Sequence, residues 1–467
     1  MLSSLLLAAV LQYGSPVHDD HITLAGNFGE PRPHHFHGGI DVRTGMAVGR
    51  PLFAVADGYV SRITIGLYGF GNAVYVTHPD GHSSVYCHLK DFTPQQRVRI
   101  SRYRREHGQA DRIDEWHNPA PDVADIHFRP HEMPVSCGQL VAISGNTGSS
   151  VAPHLHLEIH DTQTWAMRDP LAYVGQFLSD HTPPMAHAFM AYPQQGGGVF
   201  NGSQQQQYFN FASHELQREF TAWGKVGFGI WANDYMEDTF HHYGIRHTRL
   251  TVDGETVFEC EVDSIPPAMN RQVNSWGDYQ HWLHQNVWYM KSFVEPGCQL
   301  PMLKVGVTRG FFDFSEERDY RVEYSLTDAF GNNSVYAFRV RGVKQPIPSA
   351  PRMDAAWKLR WDRVNQVQLP GMQLTVGRHM LADDVEIRPV VRQQPGKLSD
   401  AYTLAPRSLP LFRDAELRIR LNQVPTDSVP LCFVVGNKEI PVTVRDGWAV
   451  AKVRDLGVTY EVRKVVR

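Results

Sequence analysis

Short apolar runs that alternate with polar positions, and that end at glycine, proline or asparagine, recur along almost the whole chain. A period of two is what a strand buried on one face requires, because successive side chains point to opposite faces. Between residues 51 and 89 the pattern reads as consecutive hairpins: a run over 51–56, a turn at Asp57-Gly58, runs over 59–63 and 72–78, the turn Pro79-Asp80-Gly81, and a run over 83–89. Another pair of short strands is expected over 135–144 around Gly138, closed by Gly145-Asn146-Thr147-Gly148. The signature returns over 225–232, 246–252, 256–261 and 321–327, with turns at Asp253-Gly254 and Gly331-Asn332-Asn333, and again over 415–421 and 448–453. Helical periodicity is almost absent, so the pattern predicts an all-β protein.

Punctuation divides it. Thr182-Pro183-Pro184 followed by Gly196-Gly197-Gly198 reads as a linker, and so does 345–352 with Pro346, Pro348 and Pro351. The expected domains are a compact β-sandwich or hybrid-barrel fold over 21–180, an immunoglobulin-like sandwich over 183–343, and a third β domain over 353–467 for spacing or binding. One segment, 92–134, is far longer than the ~12–15 residues of an ordinary loop. Arg97, Arg99, Arg102, Arg104 and Arg105 suggest that it opens as a basic helix, balanced by acidic residues over 106–125. It reads either as a flap that meets an acidic substrate or as a solvated insertion. The aromatic residues over 276–289 read as packing, with a carbohydrate platform as the alternative.

Composition narrows the function classes. A chain of 467 residues implies several domains, and 42% apolar with 20% charged residues suits globular cores. A net charge of −4 gives no global attraction to nucleic acid, and no nucleic-acid motif is present. The five cysteines, Cys87, Cys137, Cys260, Cys298 and Cys432, lie far apart with no CxxC, which excludes a cysteine-rich zinc module and a dense disulfide framework. Residues 1–11 resemble the apolar part of a signal peptide without its basic region, so 1–20 is marked as a signal-like segment and export is expected. No later apolar run approaches the ~18 residues of a membrane-spanning helix, so no transmembrane helix is expected.

Candidate chemistry gathers in three places. His35-Phe36-His37-Gly38-Gly39-Ile40-Asp41 sets an imidazole and a carboxylate four residues apart, with two glycines that let the backbone fold tightly. In Pro153-His154-Leu155-His156-Leu157, strand alternation points His154 and His156 the same way, with Glu158 and His160 beyond them and Leu155, Leu157 and Ile159 facing a core. The same alternation in Val85-Tyr86-Cys87-His88-Leu89 places Tyr86 and His88 on one face. Hydrolysis at zinc needs about three protein ligands and an open position for water. His37, Asp41 and one histidine of the His154/His156 pair can supply that set, with His88 a candidate base. Each piece alone is commonplace in a chain with 24 histidines, and only the combination has weight. His131-Glu132 and His214-Glu215 lack the second histidine of a helical H-E-x-x-H site.

The combination resembles the lysostaphin-type (LytM-like) zinc endopeptidases, which hydrolyse peptide bonds in bacterial peptidoglycan. The resemblance runs in order through the segment from Gly26 to Arg32, His37-Gly38-Gly39-Ile40-Asp41, Val55-Ala56-Asp57-Gly58-Tyr59-Val60, Gly69-Phe70-Gly71-Asn72, Tyr86-Cys87-His88-Leu89, Gly145-Asn146-Thr147-Gly148 and the segment from Pro153 to Glu158. It implies one zinc ion per chain held by His37, Asp41 and His156, with His154 and His88 as the histidines that handle protons and stabilise the oxyanion. It further implies peptidoglycan peptides as substrate and a periplasmic, envelope or extracellular location. An envelope protein partner would engage the C-terminal β domains. The alternative is a catalytically silent envelope module that recruits or activates another cell-wall hydrolase. A lipoyl- or phosphocarrier-type hybrid barrel is disfavoured, since no lysine sits at the hairpin tip and a phosphocarrier has no use for Asp41. His34 and His35 read as bystanders. The segment 92–134 departs from the family pattern, and the C-terminal domains lie outside it.

Overall fold

The computed structural model describes residues 11–19, 21–107, 124–237, 239–350, 357–427, 429–436 and 438–465. Most of residues 1–11 and the acidic stretch of the 92–134 insertion lie outside the described residues. The chain is all-β, built as three sheet systems each with its own core.

The N-terminal domain is a largely antiparallel sheet whose strands run, edge to edge, Leu24–Gly26, Ile40–Arg43, His154–Asp161, His82–Cys87, Ala73–Thr77, Gly58–Ile65 and Ala124–His127. A small sheet of Pro51–Phe53, Leu140–Ile143 and Asp91–Phe92 completes the domain. Leu155, Leu157 and Ile159 of the central strand share a core with Leu52, Val141 and Ala142, all fully buried. Each such aliphatic side chain contributes about 1.5–3 kcal/mol, so the alternation of His154–Asp161 fixes which face carries the imidazoles. Residues 11–19, grouped in the sequence reading with the signal-like segment, pack onto this domain: Tyr13 and Val17 are buried in the core and Gly14 N donates to Val55 O.

The 92–134 insertion opens as the expected helix, Pro94–Glu106. Thr93 and Gln96 form a reciprocal capping box, and Pro94 occupies the first turn, where its missing N–H costs nothing. Ile100 enters the domain core and the Gln96 side chain donates to Val141 O. The arginines are engaged locally: Arg97 pairs with Asp91, Arg102 with Glu106 and Arg99 with Glu132. The segment returns as Ala124–His127, an edge strand paired with Gly58–Ile65.

The second domain is a sheet folded over a large aromatic core, with a smaller cluster of Tyr192, Tyr289 and Phe293 on its other side. Its spine is two long strands, Met185–Phe200 and Glu215–Tyr235. The first half of Glu215–Tyr235 pairs in parallel with Asn333–Gly342, and the second half pairs with the short strands Met290–Lys291 and Phe312–Phe314. The spine strand thus serves both layers, and Phe189, Phe220, Phe228 and Phe338 meet between them. Most of the glycine-rich stretch expected as a linker is therefore strand. Its glycines accommodate a bulge between Pro193 and Gly198, and a Cβ on Gly198 would lie 2.1 Å from Lys225 O. The C-terminal domain encloses a separate core between two five-stranded sheets.

The first two domains are tightly joined. Met167–Arg168 pairs with Ser264–Ile265 across the boundary. Asn27 and Gly244 exchange two hydrogen bonds of 2.8 and 2.9 Å, and Arg246 binds Asp169 at 2.7 Å. Met236 and Tyr243, from the second domain's chain segment, are buried in the core of the first. At this junction three carboxylates, Asp180, Asp234 and Asp328, are buried close together. Burial and mutual repulsion push Asp180 up to about 7 and Asp234 up to about 8.

Candidate metal centre

Strand register assembles the centre. Ile40–Arg43 lies beside His154–Asp161 with Asp41 opposite His156, which brings together residues 115 positions apart. His37 enters from the turn before Ile40, where the two glycines are required by space. A Cβ on Gly39 would sit 2.2 Å from Leu157 O, and one on Gly38 would sit 2.5 Å from the Glu158 carboxylate.

Three atoms converge. His37 Nε2 lies 3.0 Å from Asp41 Oδ1 and 3.0 Å from His156 Nδ1, and His156 Nδ1 lies 2.7 Å from Asp41 Oδ1. Donors about 2.0–2.1 Å from a tetrahedral zinc ion would be roughly 3.3 Å apart, so a small expansion of this triangle is all that separates it from a ligand set. Each residue's other polar atom is already committed. His37 Nδ1 donates to Asn27 O at 2.6 Å, His156 Nε2 donates to Glu158 Oε1 at 2.9 Å, and Asp41 Oδ2 accepts from Arg32 at 3.0 Å. Those bonds fix which ring nitrogen of each imidazole faces the centre, as ligating histidines need. Glu158 is buried and also accepts from His160 Nε2 at 2.5 Å.

The electrostatics favour a cation. Although burial opposes ionisation, contacts with His37, His154 and His156 hold the Asp41 carboxyl far below the usual range. Burial would lower the His156 imidazole, but its bonds to Asp41 and Glu158 outweigh that and raise it to about 9. A proton therefore occupies His156 at neutral pH when nothing else does, and a metal ion would displace it.

Two further histidines flank the centre. His154 Nε2 lies 3.3 Å from Asp41 Oδ1, and its Nδ1 donates to Ala152 O at 2.7 Å. His88 Nδ1 donates to Thr147 O at 2.8 Å, and the His88 and His154 rings lie 4.9 Å apart. Burial, reinforced by His156 and His154, lowers His88 to about 4, so it is a neutral base at pH 7. The expectation that Tyr86 and His88 share a strand face is corrected. Tyr86 is a core residue whose hydroxyl binds Val55 N, whereas the strand ends at Cys87 and His88 has a left-handed φ of 59°. That one backbone turn carries His88 from the core side to the metal side.

The centre lies at the base of a cleft of about 710 Å³, walled by Phe70 and the 149–153 loop on one side. His241, Pro267 and Asn270 of the second domain also line it. Asn270 Oδ1 accepts from Phe36 N at 2.6 Å, next to His37. His34 is bound by Asn274 and packs on Tyr279, so it is a docking residue rather than a bystander, whereas His35 sits exposed at the rim. The described part of the 92–134 insertion does not line the cleft. All five cysteines, Cys87 and Cys137 among them, are free thiols. Roles for Arg32, Asn27 and Glu158 are not apparent from the sequence. Only Glu158 left a signal, through its i+2 spacing from His156.

Comparisons with known proteins fall on the same elements. The family model described as Peptidase family M23 matches residues 35–102, which include His37, Asp41 and His88, and the model described as Zu5-like domain matches 356–464. A Haemophilus influenzae protein described as an uncharacterized metalloprotease is 30% identical over 132 residues, covering 28% of this chain and 19% of that protein. Among solved structures, the catalytic domain of lysostaphin from Staphylococcus simulans is 21% identical, covering 32% of this chain and 91% of that one, with a TM-score of 0.23. A mutant catalytic domain of the prophage-encoded M23 protein EnpA from Enterococcus faecalis is also 21% identical, covering 32% of this chain and 86% of that one, at 0.21. A zinc containing peptidase from Vibrio cholerae is 22% identical, covering 31% and 35%, at 0.21. With the family match spanning the histidine and aspartate that converge in the cleft, the N-terminal domain of this chain resembles the LytM-like metallopeptidases of peptidase family M23.

Proposed function

We propose that this chain is a zinc-dependent endopeptidase that hydrolyses peptide bonds in bacterial peptidoglycan outside the cytoplasm. The observation that supports it best is the convergence of His37 Nε2, Asp41 Oδ1 and His156 Nδ1 beside two further histidines in an open cleft. A zinc ion held there supplies a water acidified to a pKa of about 7 and a Lewis acid for the scissile carbonyl. The chain's own groups do the rest. His88, neutral and oriented through Thr147 O, presents its free Nε2 to take a proton from the attacking water. His154 Nε2, held by the bond from Nδ1 to Ala152 O, stands where it can stabilise the developing oxyanion. Arg32, Asn27 and Glu158 keep the three ligands aimed inward.

The test is a digest of purified peptidoglycan followed by mass analysis of the released fragments. Zinc-loaded protein is expected to release peptides with new amino termini. A chelator and His156→Ala should each abolish that release. Undiminished release under both treatments would overturn the zinc assignment. Binding to peptidoglycan with neither release nor stoichiometric zinc would identify a silent envelope module instead.

A further inference from the structure

We propose that Asp180, Asp234 and Asp328 form a binding site for a hard divalent cation of the calcium class, which staples the segment leaving the N-terminal domain to the second domain. The three carboxylates come from the segment after the first domain, from the strand Glu215–Tyr235 and from the turn after Asp319–Thr327. One oxygen from each lies within 4.8 Å of the other two. All three residues are almost fully enclosed, at 4%, 4% and 3% exposure. Asp180 Oδ2 and Asp234 Oδ1 are buried with no hydrogen-bond donor. Asp180 Oδ1 accepts from Thr182 N, and Asp328 accepts from Phe330 N, Asn332 N and the Asn332 amide, which fixes both carboxylates in place. The Asn332 amide also donates to Asp180 O, so the two segments already meet there.

The strongest charges acting on Asp234 are Asp328, Asp180 and Glu237, all carboxylates. Burying carboxylates without a partner is costly. A shared proton would satisfy one pair of oxygens and leave the third carboxylate facing them, whereas one divalent ion answers all three. The donors are oxygen only, with no imidazole or thiolate, which selects calcium over zinc; magnesium, which keeps its waters, suits an enclosed site less well.

The position gives the ion a structural role. Leu178, Met236 and Phe330, each two residues from one of the aspartates, pack with the core of the first domain. An ion at the cluster would therefore lock together the junction that also holds the second domain's wall against the cleft.

The experiment uses the full chain loaded with zinc, freed of calcium on a chelating resin, with zinc content measured before and after. Calcium chloride is titrated calorimetrically and melting is followed with and without it. The expected result is one calcium ion per chain beyond the zinc, at least tenfold tighter than magnesium. At a hundredfold excess over Kd the melting temperature should rise by about 5 °C. Asp234→Asn should abolish the calcium-dependent rise, and Asp180→Asn provides the same reading should Asp234→Asn fail to fold. Three results would overturn the site: no calcium bound by the wild-type chain, equal calcium response in wild type and variants, or an Asp234→Asn protein that melts higher without calcium and ignores it, as a proton-sharing cluster would. Magnesium binding as tight as calcium would overturn the calcium class.

Discussion

Each proposed ligand is defined by what holds its far side, and that makes single residues separable by experiment. Glu158 touches His156 but not the centre itself, so it is a positioning residue. Glu158→Gln can no longer accept from both His156 and His160, and zinc affinity should fall about 10–100-fold in a competition assay with a chromophoric chelator. The proton on His156 gives that assay a pH dependence with a fixed sign. Because the metal-free imidazole titrates near 9, a bound metal ion must expel a proton below that pH. Apparent affinity should therefore weaken by about tenfold for each unit from pH 8 to pH 6. His88 behaves oppositely: lowered to about 4, it carries no proton at neutral pH and contributes basicity rather than charge. His88→Ala should cost about 10²–10⁴ in kcat with zinc stoichiometry unchanged. Loss of zinc in that variant would instead place His88 among the ligands.

At the scale of elements, the strand His154–Asp161 joins folding to chemistry. One face is a core stripe of Leu155, Leu157 and Ile159, and the other carries His154, His156, Glu158 and His160. Leu157→Ala should destabilise the domain by about 2–5 kcal/mol in denaturant unfolding. It should also weaken zinc retention, because the cavity lies directly beneath the ligand register. A variant that loses stability yet keeps full zinc affinity would show that the face toward the cleft is held independently of the core. The helix Pro94–Glu106 is anchored by Ile100 and Gln96 on the small sheet, and Arg104 is buried with them, so Arg97, Arg99 and Arg102 read as surface ion pairs of little energetic consequence.

For the whole molecule, the second domain is part of the cleft rather than a distant appendage. It supplies His241, Pro267 and Asn270 to the lining, and it buries Met236 and Tyr243 in the first domain's core. A fragment ending at residue 180 should melt well below the full chain, since it exposes the surface that covers those side chains. Asn270→Ala in the intact chain removes the acceptor for Phe36 N. We expect a higher KM with a smaller change in kcat, measured on a defined stem peptide. The reverse pattern would mean that Asn270 acts on the chemistry rather than on the shape of the cleft.

Much of this was legible in the residues themselves. Period-two alternation announced the strands, Thr93 and Gln96 are a recognisable helix start, and the order of the His37-to-Asp41 and His154-to-His156 motifs marked the candidate chemistry. Strand periodicity is a local property imposed by one buried face, which is why it survives in sequence. Other features were not local. The bulged strand Met185–Phe200 looked like a linker because glycine reports backbone freedom without saying whether a neighbour fills the space. His88 broke the alternation through a single left-handed residue, which no pattern of side chains encodes. The sequence by itself determined an all-β chain and the residue types of a candidate metal centre. Only the tertiary structure decided that Asp41 stands opposite His156, that Arg32, Asn27 and Glu158 aim the ligands, and that three aspartates drawn from distant segments meet at a domain junction. Register and domain packing are set by long-range burial of apolar surface, and that depends on which segments meet rather than on any one of them.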